Sequence, residues 1–135
     1  GIELFANSEV TKWWSIRGGY TFLRKELVVK PNSKDLNKAT AESNDPEHQI
    51  MLQSTVNLPY HFQLGTVARY VDRLPKPVVP YYIGLDVRLA WELGKFLELS
   101  VVGQNILYKQ HTEFIASTPR REIAQSVYGK ISCRF

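Results

Sequence analysis

The side chains able to carry chemistry are few and poorly spaced for catalysis. The three histidines, His48, His61 and His111, stand far apart and match no metal-ligand spacing, so they are expected as surface residues with no metal between them. Cys133 is the single thiol, which excludes an internal disulfide and cannot build a zinc site by itself. Serines and aspartates are frequent, but none lies in a glycine-rich elbow or beside a suitably placed base. No catalytic residue and no cofactor is expected, and the chain is read as a non-enzyme. Pro77-Val-Val-Pro80 formally matches a polyproline ligand and is expected to be a stiff loop. The polar residues worth following are Arg17, Arg69, Asp86, Arg88, Glu98 and Lys130, joined by Gln53, Gln63 and Gln104. They offer charge and hydrogen bonds rather than a nucleophile, and they interrupt apolar segments at alternate positions. In a dry core such charges are costly unless paired. On a water-filled lumen they are ordinary, and a solvent face accounts for them equally.

The segments that carry these charges repeat with a period of two, the signature of strands with one apolar and one polar face. Residues 1–7 place Ile2, Leu4 and Ala6 on one side, and a tight turn is expected at 8–11. Trp14, Ile16, Gly18, Tyr20 and Phe22 form the next outward row, with Arg17 opposite. A third strand at about 49–57 carries Ile50, Leu52 and Val56, and a fourth carries Phe62, Leu64, Ala68 and Tyr70 against Gln63 and Arg69. The fifth sets Ile83, Leu85, Val87, Leu89 and Trp91 against Asp86 and Arg88; the sixth sets Leu97, Leu99 and Val101 against Glu98 and Gln104. The seventh alternates Val127, Gly129, Ile131 and Cys133 with Tyr128, Lys130 and Ser132, and the sequence ends on Phe135. The fold class expected is all-β, an antiparallel meander of about seven strands.

The connections alternate in length. Turns at 8–11, 58–61 and 94–95 are short, whereas 24–48, 72–80 and 105–120 are long, polar or proline-rich. In a meander this gathers the short turns at one end and the long loops at the other, the asymmetry of outer-membrane barrels. Aromatics repeat the division. Trp14, Phe62, Trp91 and Phe135 lie outward beside short turns, and Tyr20, Phe22, Tyr70 and Tyr81 outward near long loops. Two such girdles suit a membrane with headgroups on both sides; Phe96 and Tyr128 fall out of phase. The loop at 24–48 is long enough to ask for a function, as a mouth or gate segment, or to be a plain surface loop.

Composition narrows the classes. Seventeen basic against thirteen acidic residues give +4, scattered along the chain, and a nucleic-acid partner is not expected. No apolar run approaches the roughly 20 residues of a membrane helix, but a barrel strand crosses with about 9–11. The chain starts at Gly1 without Met and is taken as a fragment or a processed chain.

LELSVVGQNIL (97–107) and REIAQSVYGKISCRF (121–135) resemble the last two strands of TonB-dependent outer-membrane receptors. DPEHQ (45–49), LPYHFQLGTVARYVDRLP (58–75) and GGYTFL (18–23) are similar to preceding strands of that family. The resemblance implies that residues 1–135 are the C-terminal segment of a transmembrane β-barrel of about 22 strands, the plug being absent. It implies TonB-dependent uptake of a scarce nutrient such as a ferric siderophore or cobalamin. Its partners would be outer-membrane lipid, the barrel-assembly machinery, the TonB complex through the plug, and a small-molecule or metal-chelate ligand. The location implied is the Gram-negative cell outer membrane, with long loops extracellular and the C-terminus periplasmic. The family's barrel-assembly signal maps to Val127, Gly129, Ile131 and Phe135. Arg17, Arg69, Asp86, Arg88, Glu98 and Lys130 would face the lumen. Two positions depart from the pattern: Cys133 stands where an aromatic is common, and Tyr108 where an acidic turn residue is. The competing reading is a soluble antiparallel β-barrel or sandwich, a binding module.

Overall fold

The computed structural model describes residues 1–26, 31–32, 45–74, 79–107, 110–112 and 122–134. Seven strands form one sheet: β1 (Ile2–Thr11), β2 (Trp14–Phe22), β3 (His48–Leu58), β4 (Phe62–Val71), β5 (Tyr82–Leu93), β6 (Leu97–Gln104) and β9 (Ser126–Cys133). Two short strands, β7 (Gln110–Thr112) and β8 (Glu122–Ala124), pair with each other inside the last long connection. Each of the seven strands pairs antiparallel with the next, so the sheet is the meander that the alternating pattern predicts.

Register determines which residues share a face. Ala6, Gly18, Leu52, Ala68 and Leu85 stand opposite one another across five strands. Lower on the same face run Leu64, Leu89, Val101 and Gly129, then Phe62, Trp91, Leu99 and Ile131. A slip of one residue in any ladder would send one strand's aliphatic set to the opposite face; the five ladders from β2 to β9 run without one, and β1 keeps its register against β2 from Ile2 to Glu9.

Among the described residues nothing packs on the apolar face. Among the described residues the only buried hydrophobics are Val79 and Ala90, while Leu4 is 61 %, Val101 56 % and Ile131 71 % exposed. A soluble sandwich hides such rows under a second layer, and the described residues supply none.

All three short connections, at 12–13, 59–61 and 94–96, lie at one end of the meander, and those at 23–47, 72–81 and 105–125 lie at the other. The first turn differs from expectation. β1 continues through 8–11, pairing Ser8 with Ile16 and Glu9 with Ser15, and a bulge before Thr11 shifts the turn to 12–13. Polar residues do not end a strand while its ladder bonds continue to be made, and a bulge absorbs the extra residue. The β3–β4 turn holds Tyr60 and His61 at φ of 60° and 65°, a left-handed conformation that costs side-chain-bearing residues about 1 kcal/mol. Tyr60 is 85 % exposed, so its side chain returns little packing. Tyr60→Gly is expected to raise the unfolding free energy by roughly 1 kcal/mol, measured by denaturant titration.

Candidate functional site

The polar face is the candidate site, and the ladders place every charge named above on it. Arg17 on β2 stands between Asn7 and Gln53. Arg69 on β4 faces Gly84, Asp86 on β5 faces Val67, and Arg88 faces Gly65 and Val102. Glu98 lies between Glu92 and Ser132, and Lys130 lies opposite Ser100. The period of two puts these residues on one side because their spacing from the outward row is odd on every strand.

Two clusters join β4, β5 and β6 across this face. Arg69 Nη2 donates to Asp86 Oδ2 at 2.8 Å, and the Asn105 backbone N–H donates to Asp86 Oδ1 at 2.9 Å. Arg88 donates from Nη1 to Gln63 Oε1 at 3.2 Å and from Nη2 to Glu98 Oε1 at 2.5 Å; Gln63 Nε2 in turn donates to Asn57 Oδ1. The acidic partners are 20 % and 16 % exposed and the arginines 43 % and 33 %. Water therefore screens both pairs, and each is worth about 1 kcal/mol or less. Glu98 stands directly opposite Glu92, a like-charge contact that is unfavourable in a sheet, and Arg88 offsets it. The structure thus groups Arg69 with Asp86 and Arg88 with Glu98, while Arg17 and Lys130 stand apart on β2 and β9.

Glycines give the long side chains room. A Cβ on Gly84 would lie 3.4 Å from Arg69 Nε and 3.5 Å from Nη2, so the guanidinium rests over bare backbone. Gly84→Val is expected to displace it and cost about 1 kcal/mol, whereas Gly18→Ala, with open space at its Cβ, should be neutral or slightly stabilising. Denaturant midpoints of the two variants test the contrast.

The apolar face carries its aromatics at both ends. Beside the short turns, Phe62 and Trp91 stack with centroids 5.6 Å apart, and Trp14 Nε1 donates to Ser54 Oγ at 3.0 Å. Toward the long connections, Tyr70 lies 6.1 Å from Tyr81, and Phe22 5.2 Å from His48. His48 begins β3 rather than lying in a loop, and its Nδ1 is 2.9 Å from the Tyr20 hydroxyl. Val127, Gly129 and Ile131 lie on this face, opposite Gly103, Val101 and Leu99. Phe135, Tyr108, Pro77, most of the 24–48 loop and the side chain of His111 fall outside the described residues. Among the described residues no group of His, Cys, Asp or Glu could hold a metal, and no helix is long and apolar enough to cross a membrane.

The role of Asn105 escapes a periodicity reading because it sits one residue past β6. Its signal is local: an Asn at a strand end favours the left-handed region, and its φ is 52°.

No protein-family model matches the chain. A curated relative described as the probable TonB-dependent siderophore receptor PiuA, from Acinetobacter baumannii, is 28% identical over 82% of this chain. That stretch is 17% of the relative's length. The crystal structure of the siderophore receptor PiuA from Acinetobacter baumannii matches 98% of this chain with a TM-score of 0.73 and 23% identity, and 21% of that chain is covered. The chain therefore spans about a fifth of the length of the proteins it matches. The resemblance to TonB-dependent receptors is borne out in sequence, and the all-β antiparallel meander is shared with part of a receptor barrel.

Proposed function

We propose that residues 1–135 are a C-terminal segment of the β-barrel of a TonB-dependent outer-membrane receptor that takes up a scarce nutrient. The observation that carries the reading is the uncovered apolar face, continuous through all seven strands and flanked by aromatics at both ends. Lipid is the solvent that suits it. The opposite face, with Arg17, Arg69, Asp86, Arg88, Glu98 and Lys130, then lines the lumen. Half-exposed guanidiniums there are suited to meeting water, a plug surface or an anionic solute.

On this reading the long connections are extracellular and the short turns periplasmic. Val127, Gly129, Ile131 and Phe135 form the signal read by the barrel-assembly machinery. Energy comes from the TonB complex through a plug that lies elsewhere in the full receptor. The relative's description as a siderophore receptor supports a ferric siderophore as cargo ahead of cobalamin.

The test is growth of cells limited for iron or for cobalamin, with the full-length receptor present or deleted, on a panel of ferric siderophores and on cobalamin. The expected result is growth on one ligand class that needs both the receptor and TonB. Growth on every ligand regardless of either one would overturn the proposal.

A further inference from the structure

We propose that Asp86 is a two-pronged clasp that fixes where the β6–β9 connection leaves the polar wall. Its two carboxylate oxygens serve different elements. Oδ2 accepts from Arg69 on β4, and Oδ1 accepts from the backbone of Asn105, the first residue after β6. One side chain thus ties the root of a long connection to the second strand over.

The backbone around Asn105 is shaped for this contact. Asn105 is left-handed, with φ of 52°, and only 8 % exposed. That bend turns the chain back on β5, so the Ile106 N–H donates to the Leu85 carbonyl at 3.0 Å. A Cβ on Gly103 would meet Ile106 Cγ2 at 3.0 Å, so Ile106 packs tightly over the glycine. The returning end is tied as well, because Gln125 Nε2 donates to the Ile106 carbonyl at 2.9 Å. Two buried polar atoms without a hydrogen-bond partner, the donor Arg69 Nε and the acceptor Asn105 Oδ1, both lie over Gly84.

Hydrogen bonds to an ionised carboxylate are stronger than neutral ones, and the Asn105 amide has its acceptor only while Asp86 stays in place. Arg69 holds one carboxylate oxygen, and the other accepts from Asn105 just past β6. The clasp rests on the receptor reading in one respect only: that reading puts the 105–125 connection at the outer mouth of the barrel. There the clasp would fix where residues 105–107 leave the lumen wall.

The test is amide hydrogen exchange of the full-length receptor in bilayer nanodiscs, read on peptides spanning 105–107, with 62–71 on β4 as the internal control. Asp86→Ala is expected to speed exchange at Asn105 and Ile106 by about tenfold to a hundredfold and leave the control unchanged. Asp86→Asn, which keeps the shape, should speed it several-fold. The charge swap Arg69→Asp with Asp86→Arg restores an ion pair but no acceptor, so exchange should stay fast. Unchanged exchange in Asp86→Ala or Asp86→Asn, or slow exchange restored by the swap, would overturn the clasp. Failure of the wild-type protein to enter bilayers as a barrel would count against the receptor reading instead, since the ratio between variant and wild type reads the clasp alone.

Discussion

Leu85→Arg is expected to lower the stability of the full barrel in a bilayer by about 2–4 kcal/mol, and Thr55→Arg by less than about 1 kcal/mol. Leu85 lies on the apolar face in the row of Ala6, Gly18, Leu52 and Ala68, midway between the two aromatic groups. An arginine there would stand in hydrocarbon, where its charge is poorly solvated and its nearest neighbours are aliphatic. Thr55 lies on the polar face between Ser15 and Gly65, where a guanidinium can meet water. The penalty should also depend on depth. Leu58→Arg, next to the Pro59–His61 turn, should cost about 0–1 kcal/mol because the side chain reaches the interface. Guanidinium titrations of the three variants in vesicles measure the profile. Equal penalties at positions 85 and 55 would contradict the assignment of faces.

On the proposed receptor function, replacing residues 27–44 of the full protein by a short Gly-Ser linker is expected to cut uptake at least about tenfold and to leave barrel insertion intact. Insertion should survive because β2 and β3 hold each other without that segment. Their ladder runs unbroken from Trp14↔Val56 to Phe22↔His48, and the Leu23 N–H donates to the Glu47 carbonyl at 2.9 Å. A salt bridge between Lys25 and Asp45 closes the foot of the connection below the excised part. Loop entropy favours a shorter connection as well, since closure costs less as a loop shortens. Uptake should suffer because a connection this long, in a sheet whose other end has only tight turns, is expected to have a role at the mouth. Heat-modifiable gel mobility reports insertion, and nutrient-limited growth reports uptake. Loss of insertion would show that the segment belongs to the barrel's folding nucleus rather than to its mouth.

How much of this was legible in the sequence varies with the kind of interaction. Faces were legible because side-chain direction alternates strictly along a strand, so Leu85 and Asp86 had to part company wherever β5 paired. Turn positions were legible where proline or glycine marked them, as at Pro59 and Gly94. The first turn was not. Ser8, Glu9 and Thr11 look like a turn by composition, yet they remain in the ladder with β2 through a bulge. The small β7–β8 pair inside a polar connection was missed for the same reason: three-residue strands are too short to show a period. His48 looked like a loop residue because the polar run before it hides the start of β3. The charges of the candidate site were found as a set, but their pairing was not. Which arginine meets which carboxylate depends on register between strands, and Arg69 reaches Asp86 diagonally across the ladder rather than meeting it directly.

The most direct test of the central claim, that the apolar face meets lipid, is a spin-label scan along β5 of the full-length receptor in bilayers. Cys133 is replaced by serine, and single cysteines are placed at each position from 83 to 89. Labels at 83, 85, 87 and 89 are expected to collide with oxygen dissolved in the lipid, and those at 84, 86 and 88 are not. Labels at 85, 87 and 89 that are shielded from oxygen as strongly as their neighbours would mean that protein, not lipid, covers this face, and the barrel reading would fall.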